Sequence, residues 1–243
     1  MYRNLDSGRI VETNRTIQQR IAERFPDSGL SRVAAELLAV SEQAAAISQW
    51  LAKPHRSLRL LAGIGIAAMV TVVIAGLSTV RINLAFSSIA ELLQGSEAAI
   101  NEVVFLGIAS YFLFTLEARR KRRRALKAIH VLRSIAHIID MHQLTKDPEN
   151  VLARGPDTAS SPKRTLTAFE LTRYLDYCSE LLAIISKVAA LYVQQFDDPV
   201  TLSAVNDVEE LTNGLSRKIW QKIMILDRIV SPDGPSQPAS QIA

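Results

Sequence analysis

The chain has 243 residues, is 48% apolar and carries a formal net charge of +4. Residues 117–127 alone carry +6, which leaves −2 for the remainder, so the high isoelectric point reports one patch and excludes a broadly basic nucleic-acid surface. The single cysteine, Cys178, excludes an intramolecular disulfide and a cysteine-based zinc cluster.

The first residues lack the apolar core of a cleavable signal peptide, so membrane insertion falls to an internal segment. Residues 9–25 read as a short amphipathic helix with Val11, Ile17, Ile21 and Phe25 apolar, closed by the turn cluster Pro26-Asp27-Ser28-Gly29. A second helix is predicted over 31–51. Its apolar residues Leu30, Val33, Ala34, Leu37, Leu38, Ala44, Ile47 and Leu51 keep helical spacing. Two helices of this size bury little alone and need other helices to pack on.

Residues 60–80 are 21 positions without a charge, preceded by Lys53, Arg56 and Arg59. At about 1.5 Å per residue this run reaches roughly 31 Å, the thickness of one bilayer core. Gly63, Ala67, Thr71 and Ala75 recur every four residues. Small-residue stripes let helices approach closely in lipid, against a second span or another subunit, although Gly and Ala are also simply common in spans.

In the connection that follows, Ile82, Phe86, Ile89 and Leu93 share one helical face. This segment is either a short helix lying on the outer membrane surface or an ordinary loop. Gly95-Ser96 is expected to break it, with Ser96 and Glu97 starting the next helix. The second apolar run, residues 103–116, has 14 uncharged positions. It is short for a span, but it is aromatic-rich and a basic cluster follows at once. Lys and Arg accumulate on the cytoplasmic side of spans, which predicts a hairpin with both termini in the cytoplasm. Glu102 reads as a boundary acid at the outer end, with a pore or proton-linked role as the alternative.

The basic cluster is Arg119, Arg120, Lys121, Arg122, Arg123, Arg124 and Lys127. It acts as an orientation signal and can contact anionic lipid headgroups. Behind it, Ala125, Ala128, Ile129, Leu132, Ile135, Ala136 and Ile139 form an apolar stripe. A single helix over about 97–144 is predicted, roughly 70 Å long. His130 and His137 are roughly 10.5 Å apart along its axis and cannot chelate one ion. His142 lies on another face. Only His137 and Asp140 could converge, and two ligands are too few for zinc. The histidines are therefore read as polar surface residues, the alternatives being a site shared among subunits or a pH sensor.

Residues 147–165 are a linker by composition. Thr167-Ala168-Phe169-Glu170 matches a capping box, and the helix behind it is expected to reach about Gln195, with Cys178 on its buried stripe. Asp198 as N-cap and Pro199 at the first position restart a helix to about Ile229, which Asn213-Gly214 could kink or split. The tail has no apolar pattern and is expected to be disordered. No catalytic or nucleotide-binding motif occurs, so no enzyme activity, cofactor or metal is predicted.

The segments ALKAIHVLRSIAHIIDMHQLTKDPE and FELTRYLDYCSELLAIISKVAALYVQQFDDPV, with LSRKIWQKIMILD after them, resemble an uncharacterised family of bacterial two-span membrane proteins. The likeness covers residues 92–227 and leaves out the first fifty. It implies a bacterial inner-membrane location and brings no activity or site residues. In architecture alone the chain is also similar to two-span effector domains of bacterial defence systems.

The predicted fold is all-α: a two-helix transmembrane hairpin with a cytoplasmic helical bundle, the second span continuing as a long cytoplasmic helix. The expected organisation is N-terminal cytoplasmic helices (1–57), first span (58–80), external connection (81–98), second span (99–117), basic collar and cytoplasmic helix (118–146), linker (147–165), C-terminal helical hairpin (166–230) and tail (231–243). The expected role is a non-enzymatic anchor or scaffold that pairs with a second copy or a protein partner through its cytoplasmic helices. An oligomeric pore or membrane effector is the alternative. Nucleic acid is excluded because the basic patch lies against the membrane.

Overall fold

The computed structural model describes residues 4–79, 89–146, 148 and 166–230. They form six helices: α1 (Ser7–Arg24), α2 (Gly29–Ala52), α3 (Arg56–Thr79), α4 (Ile89–Leu144), α5 (Ala168–Ala190) and α6 (Pro199–Val230). No strand occurs among the described residues, so the fold is all-α. The connection read as a surface helix or a loop lies partly, and the linker and tail almost wholly, outside the described residues. The chain divides into two compact units, Met1–Ala52 with Ala125–Ala243, and Lys53–Arg124.

The larger unit is a helical bundle with its own core. Local chemistry starts its helices. The Asp6 carboxylate accepts hydrogen bonds from the backbone N–H groups of Gly8 and Arg9 at the head of α1. The Thr167–Glu170 capping box forms in full at α5. Asp198 accepts from the backbone N–H of Thr201 at 2.9 Å and from its hydroxyl at 2.8 Å, capping α6 ahead of Pro199. The α1–α2 turn passes through Asp27 at φ 58°, a left-handed conformation that Asp adopts more readily than most residues. α5 stops at Ala190, short of the predicted Gln195, and the chain passes into turns.

The core takes Ile17, Ile21, Leu30, Leu37 and Leu51 from α1 and α2, with Leu175, Leu181, Ile185, Ile219 and Leu226 from α5 and α6. The 125–139 stripe of α4 joins it: Ala125, Leu132, Ala136 and Ile139 are fully buried. Burial of these apolar groups is the main favourable term of the unit. α1 deviates from the expected stripe, because Ile10 and Asn14 are buried on its inner face. Asn14 Nδ2 donates to Ser41 Oγ at 3.1 Å, so each polar group offsets part of the other's desolvation cost. Phe25 packs edge-on against Tyr174 and Tyr177, which ties the end of α1 to the start of α5.

The expected break at Gly95-Ser96 does not occur, and Asn213-Gly214 does not split the last helix. α4 starts at Ile89 and runs through Gly95-Ser96, and α6 runs unbroken through Asn213-Gly214. A helical Gly costs only about 1 kcal/mol against Ala, and long flanking helix formers outweigh it. Ser96 does not cap: its hydroxyl donates back to the Leu93 carbonyl at 2.8 Å, inside the helix.

His142 of α4 packs against Gly29, where any Cβ would overlap the imidazole ring. Burial lowers its pKa below the ordinary 6.5, and the positive charges of Arg32 and Lys146 lower it further. Below pH 6.5 the unfolded chain therefore binds a proton that the fold resists. The contribution of neutral His142 is complete above that pH and is lost as the pH falls from 6.5 towards the depressed folded value. Thermal melting from about pH 7.5 to about pH 5 should show a smaller acid-induced loss of stability in His142→Gln than in the parent, whereas parallel profiles would contradict this.

Candidate functional site

The smaller unit contains α3 and the first part of α4. Among the described residues, two helices are long and apolar enough to cross a membrane: Arg56–Ala75, with mean hydropathy 2.3, and the segment beginning at Ile100. Their apolar side chains lack protein cover. Val72 is 71% exposed, Phe105 69% and Phe114 81%. Both helices lie on antiparallel courses within the unit. Arg59 meets Glu117 at one level, and Gly65 meets Leu113 further along, where a Cβ on Gly65 would sit 3.2 Å from Leu113 Cδ1.

At the charged end of this pair, one carboxylate gathers three donors. Glu117 Oε2 accepts from Arg59 Nε at 2.6 Å. Glu117 Oε1 accepts from the His55 backbone N–H at 3.1 Å and lies 3.1 Å from Lys121 Nζ. His55 belongs to the turn before α3, so the amide bond also satisfies a donor ahead of that helix. Lys121 is one turn beyond Glu117 on the same face and is only 8% exposed. It therefore differs from the rest of the predicted collar, serving as a buried counter-ion where the sequence suggested a surface charge.

The remaining collar residues are divided by helical phase. Arg119, Arg120, Arg123, Arg124 and Lys127 are exposed, and Arg122 is half-buried. The Arg119 guanidinium lies 4.9 Å from the centroid of the Phe112 ring, a cation–π contact two turns back towards the apolar segment. Glu117 is the only acid on α4 between Glu102 and Asp140, and Arg59, Lys121 and the His55 amide already engage it.

Other predicted residues are not brought into a site. A Cβ at Gly63 would meet open space, and Thr71 Oγ1 donates to the Ala67 carbonyl of its own helix. The close approach to α4 falls at Gly65, outside the predicted Gly63, Ala67, Thr71 and Ala75 stripe. Glu102 is exposed on α4. His130 and His137 are exposed, and Asp140 accepts from Gln143 Nε2 at 2.6 Å. Among the described residues, no group of three or more His, Cys, Asp or Glu could hold a metal. Burial pushes the fully enclosed Cys178 thiol up to about 12, far from a reactive thiolate.

Sequence reasoning missed Glu117 and Arg59 as partners. The available signal was a single acid at the apolar-to-basic boundary of one helix and an arginine at the matching boundary of the other. An antiparallel hairpin puts those boundaries level. No protein-family model, curated protein or solved structure matches the chain.

Glu117→Gln removes the carboxylate that neutralises buried Lys121. Because Arg59 is 66% exposed and screened, the expected loss is about 2 kcal/mol, below the range for a fully buried pair. Glu102→Gln, at an exposed site, should stay within about 0.5 kcal/mol of the parent. Unfolding of both variants in detergent micelles checks this, and equal effects would contradict the structural role of Glu117.

Proposed function

We propose that the chain is an integral membrane anchor without enzymatic activity. α3 and residues 99–117 of α4 cross a bilayer as an antiparallel hairpin, and both termini lie on the side of the basic collar. The observation that carries this reading is the pair of uncovered apolar helices tied together at a strongly cationic end. Exposed Phe and Val side chains in such number are costly in water and favourable in hydrocarbon. The positive-inside bias places the collar in the cytoplasm. The resemblance carried by residues 125–149 and 169–227 favours the bacterial inner membrane.

The helical bundle then works as the cytoplasmic interaction module. Its support is a well-filled core together with apolar side chains left outside it. Met141 on α4 and Trp220 and Met224 on α6 are exposed, which leaves apolar side chains for a second copy or a protein partner to cover.

Cysteine accessibility tests the topology. Ser96 and Ser203 are exposed, and native Cys178 is buried and gives little background. A membrane-impermeant maleimide should label Ser96→Cys on spheroplasts and Ser203→Cys only after permeabilisation. The reverse pattern would overturn the orientation, and labelling of both only after permeabilisation would overturn the spanning hairpin.

A further inference from the structure

Glu117 separates the collar into two chemically distinct faces. Its carboxylate is turned towards α3, where Arg59, Lys121 and the His55 amide occupy both oxygens. The outward arc of α4 carries Arg119, Arg120 and Arg123, all exposed, with no acid among them. At 100° per residue, Arg123 lies about 40° and Arg120 about 100° from Arg119, and Phe112, about 20° round in the same sense, falls between Arg119 and Arg123. Arg119, Phe112 and Arg123 thus share about 40° of the helix surface, and exposed Lys127 and Arg120 widen the cationic arc to about 100°.

We propose that this face binds a phospholipid whose headgroup carries two phosphodiesters. The proposal rests on the reading of α3 and α4 as membrane spans and deepens it by naming the lipid class. Arg119 and Arg123 are one turn apart, about 6 Å along the axis. Each guanidinium can hold one phosphate through paired N–H donors, a geometry that Lys does not offer. Three arginines on one arc exceed what a single phosphodiester neutralises, and they match a headgroup with two phosphates joined by a glycerol bridge. The Phe112 ring holds the Arg119 guanidinium back towards the apolar segment, at the level where a lipid phosphate meets its acyl chains. Exposed Phe112 and Phe114 supply the apolar surface below it. A diffuse collar would respond to lipid charge alone, whereas this arrangement responds to how the charge is arranged.

The test uses the full-length protein in phosphatidylcholine nanodiscs. One set contains cardiolipin, and the other contains phosphatidylglycerol at twice the molar fraction, which matches charge and acyl-chain number. After transfer to mild detergent, native mass spectrometry counts the retained lipids. Cardiolipin should be retained about tenfold over phosphatidylglycerol, and each arginine removed should lower retention about fivefold. Arg119→Gln with Arg123→Gln should therefore lower it about 25-fold, and Phe112→Leu about threefold. Lys218→Gln with Arg228→Gln, an equal charge change on α6, should leave it unaltered. Equal retention of the two lipids, or equal loss in the α6 variant, would overturn the site. Displacement of cardiolipin by inorganic pyrophosphate would assign the face to soluble phosphates and overturn a lipid site. Failure to enter nanodiscs would overturn the spanning reading and the lipid site with it, whereas insertion with equal retention would overturn the lipid site alone.

Discussion

The carboxylate of Glu117 joins the two apolar helices, and the chemistry of their charged end follows from it. One side chain satisfies an arginine of α3, the amide before α3 and a lysine of its own helix. These contacts set the level at which α3 and α4 meet, and Gly65 against Leu113 keeps the same antiparallel register further along. Charge-assisted hydrogen bonds of this kind strengthen where water is scarce. Because Lys121 is used internally, the collar's exposed charge is carried by Arg119, Arg120, Arg123 and Arg124 with Lys127. An acid at the head of a basic run is thus what turns one of its lysines inward.

The two units deal with apolar surface differently. The bundle of α1, α2, residues 125–144 of α4, α5 and α6 encloses its leucines and isoleucines, many at zero exposure. In the Arg56–Ala75 helix only 6% of the apolar window is buried, and in the segment from Ile100 none is. α4 takes part in both regimes. Its 125–139 stripe is buried by neighbouring helices, while Phe105, Phe112 and Phe114 have no such cover. No Pro interrupts it, so the backbone of its interior can stay hydrogen-bonded within the helix, as either solvent environment demands.

Much of this architecture was legible in the residues. The helix starts at Thr167 and Pro199 follow from local chemistry that operates without tertiary help. The α4 stripe from Ala125 to Ile139 has a period that only a helix can bury on one side. The errors came where local preference met a stronger term. Gly95-Ser96 carries a turn signal, yet helix formers on both sides outweigh it. Asn14 and Ser41 interrupt an apolar pattern and are buried because each answers the other across two helices. The Glu117 cluster needed a long-range pairing that neither helix specifies alone. Gly63 and Gly65 are two positions apart, hence on different faces, and composition could not tell which would meet α4.

The surroundings of the uncovered side chains of α3 and α4 decide whether these helices cross a bilayer. Nitroxide spin labels at Ile64, Val72 and Phe105, each exposed in the structure, report this directly by collision with dissolved oxygen and with a water-soluble nickel chelate. In proteoliposomes, a membrane hairpin requires high oxygen and low nickel collision rates at all three sites, with the balance reversed at exposed Ser203. Nickel rates at Ile64, Val72 and Phe105 as high as at Ser203 would place these helices in water and contradict the account.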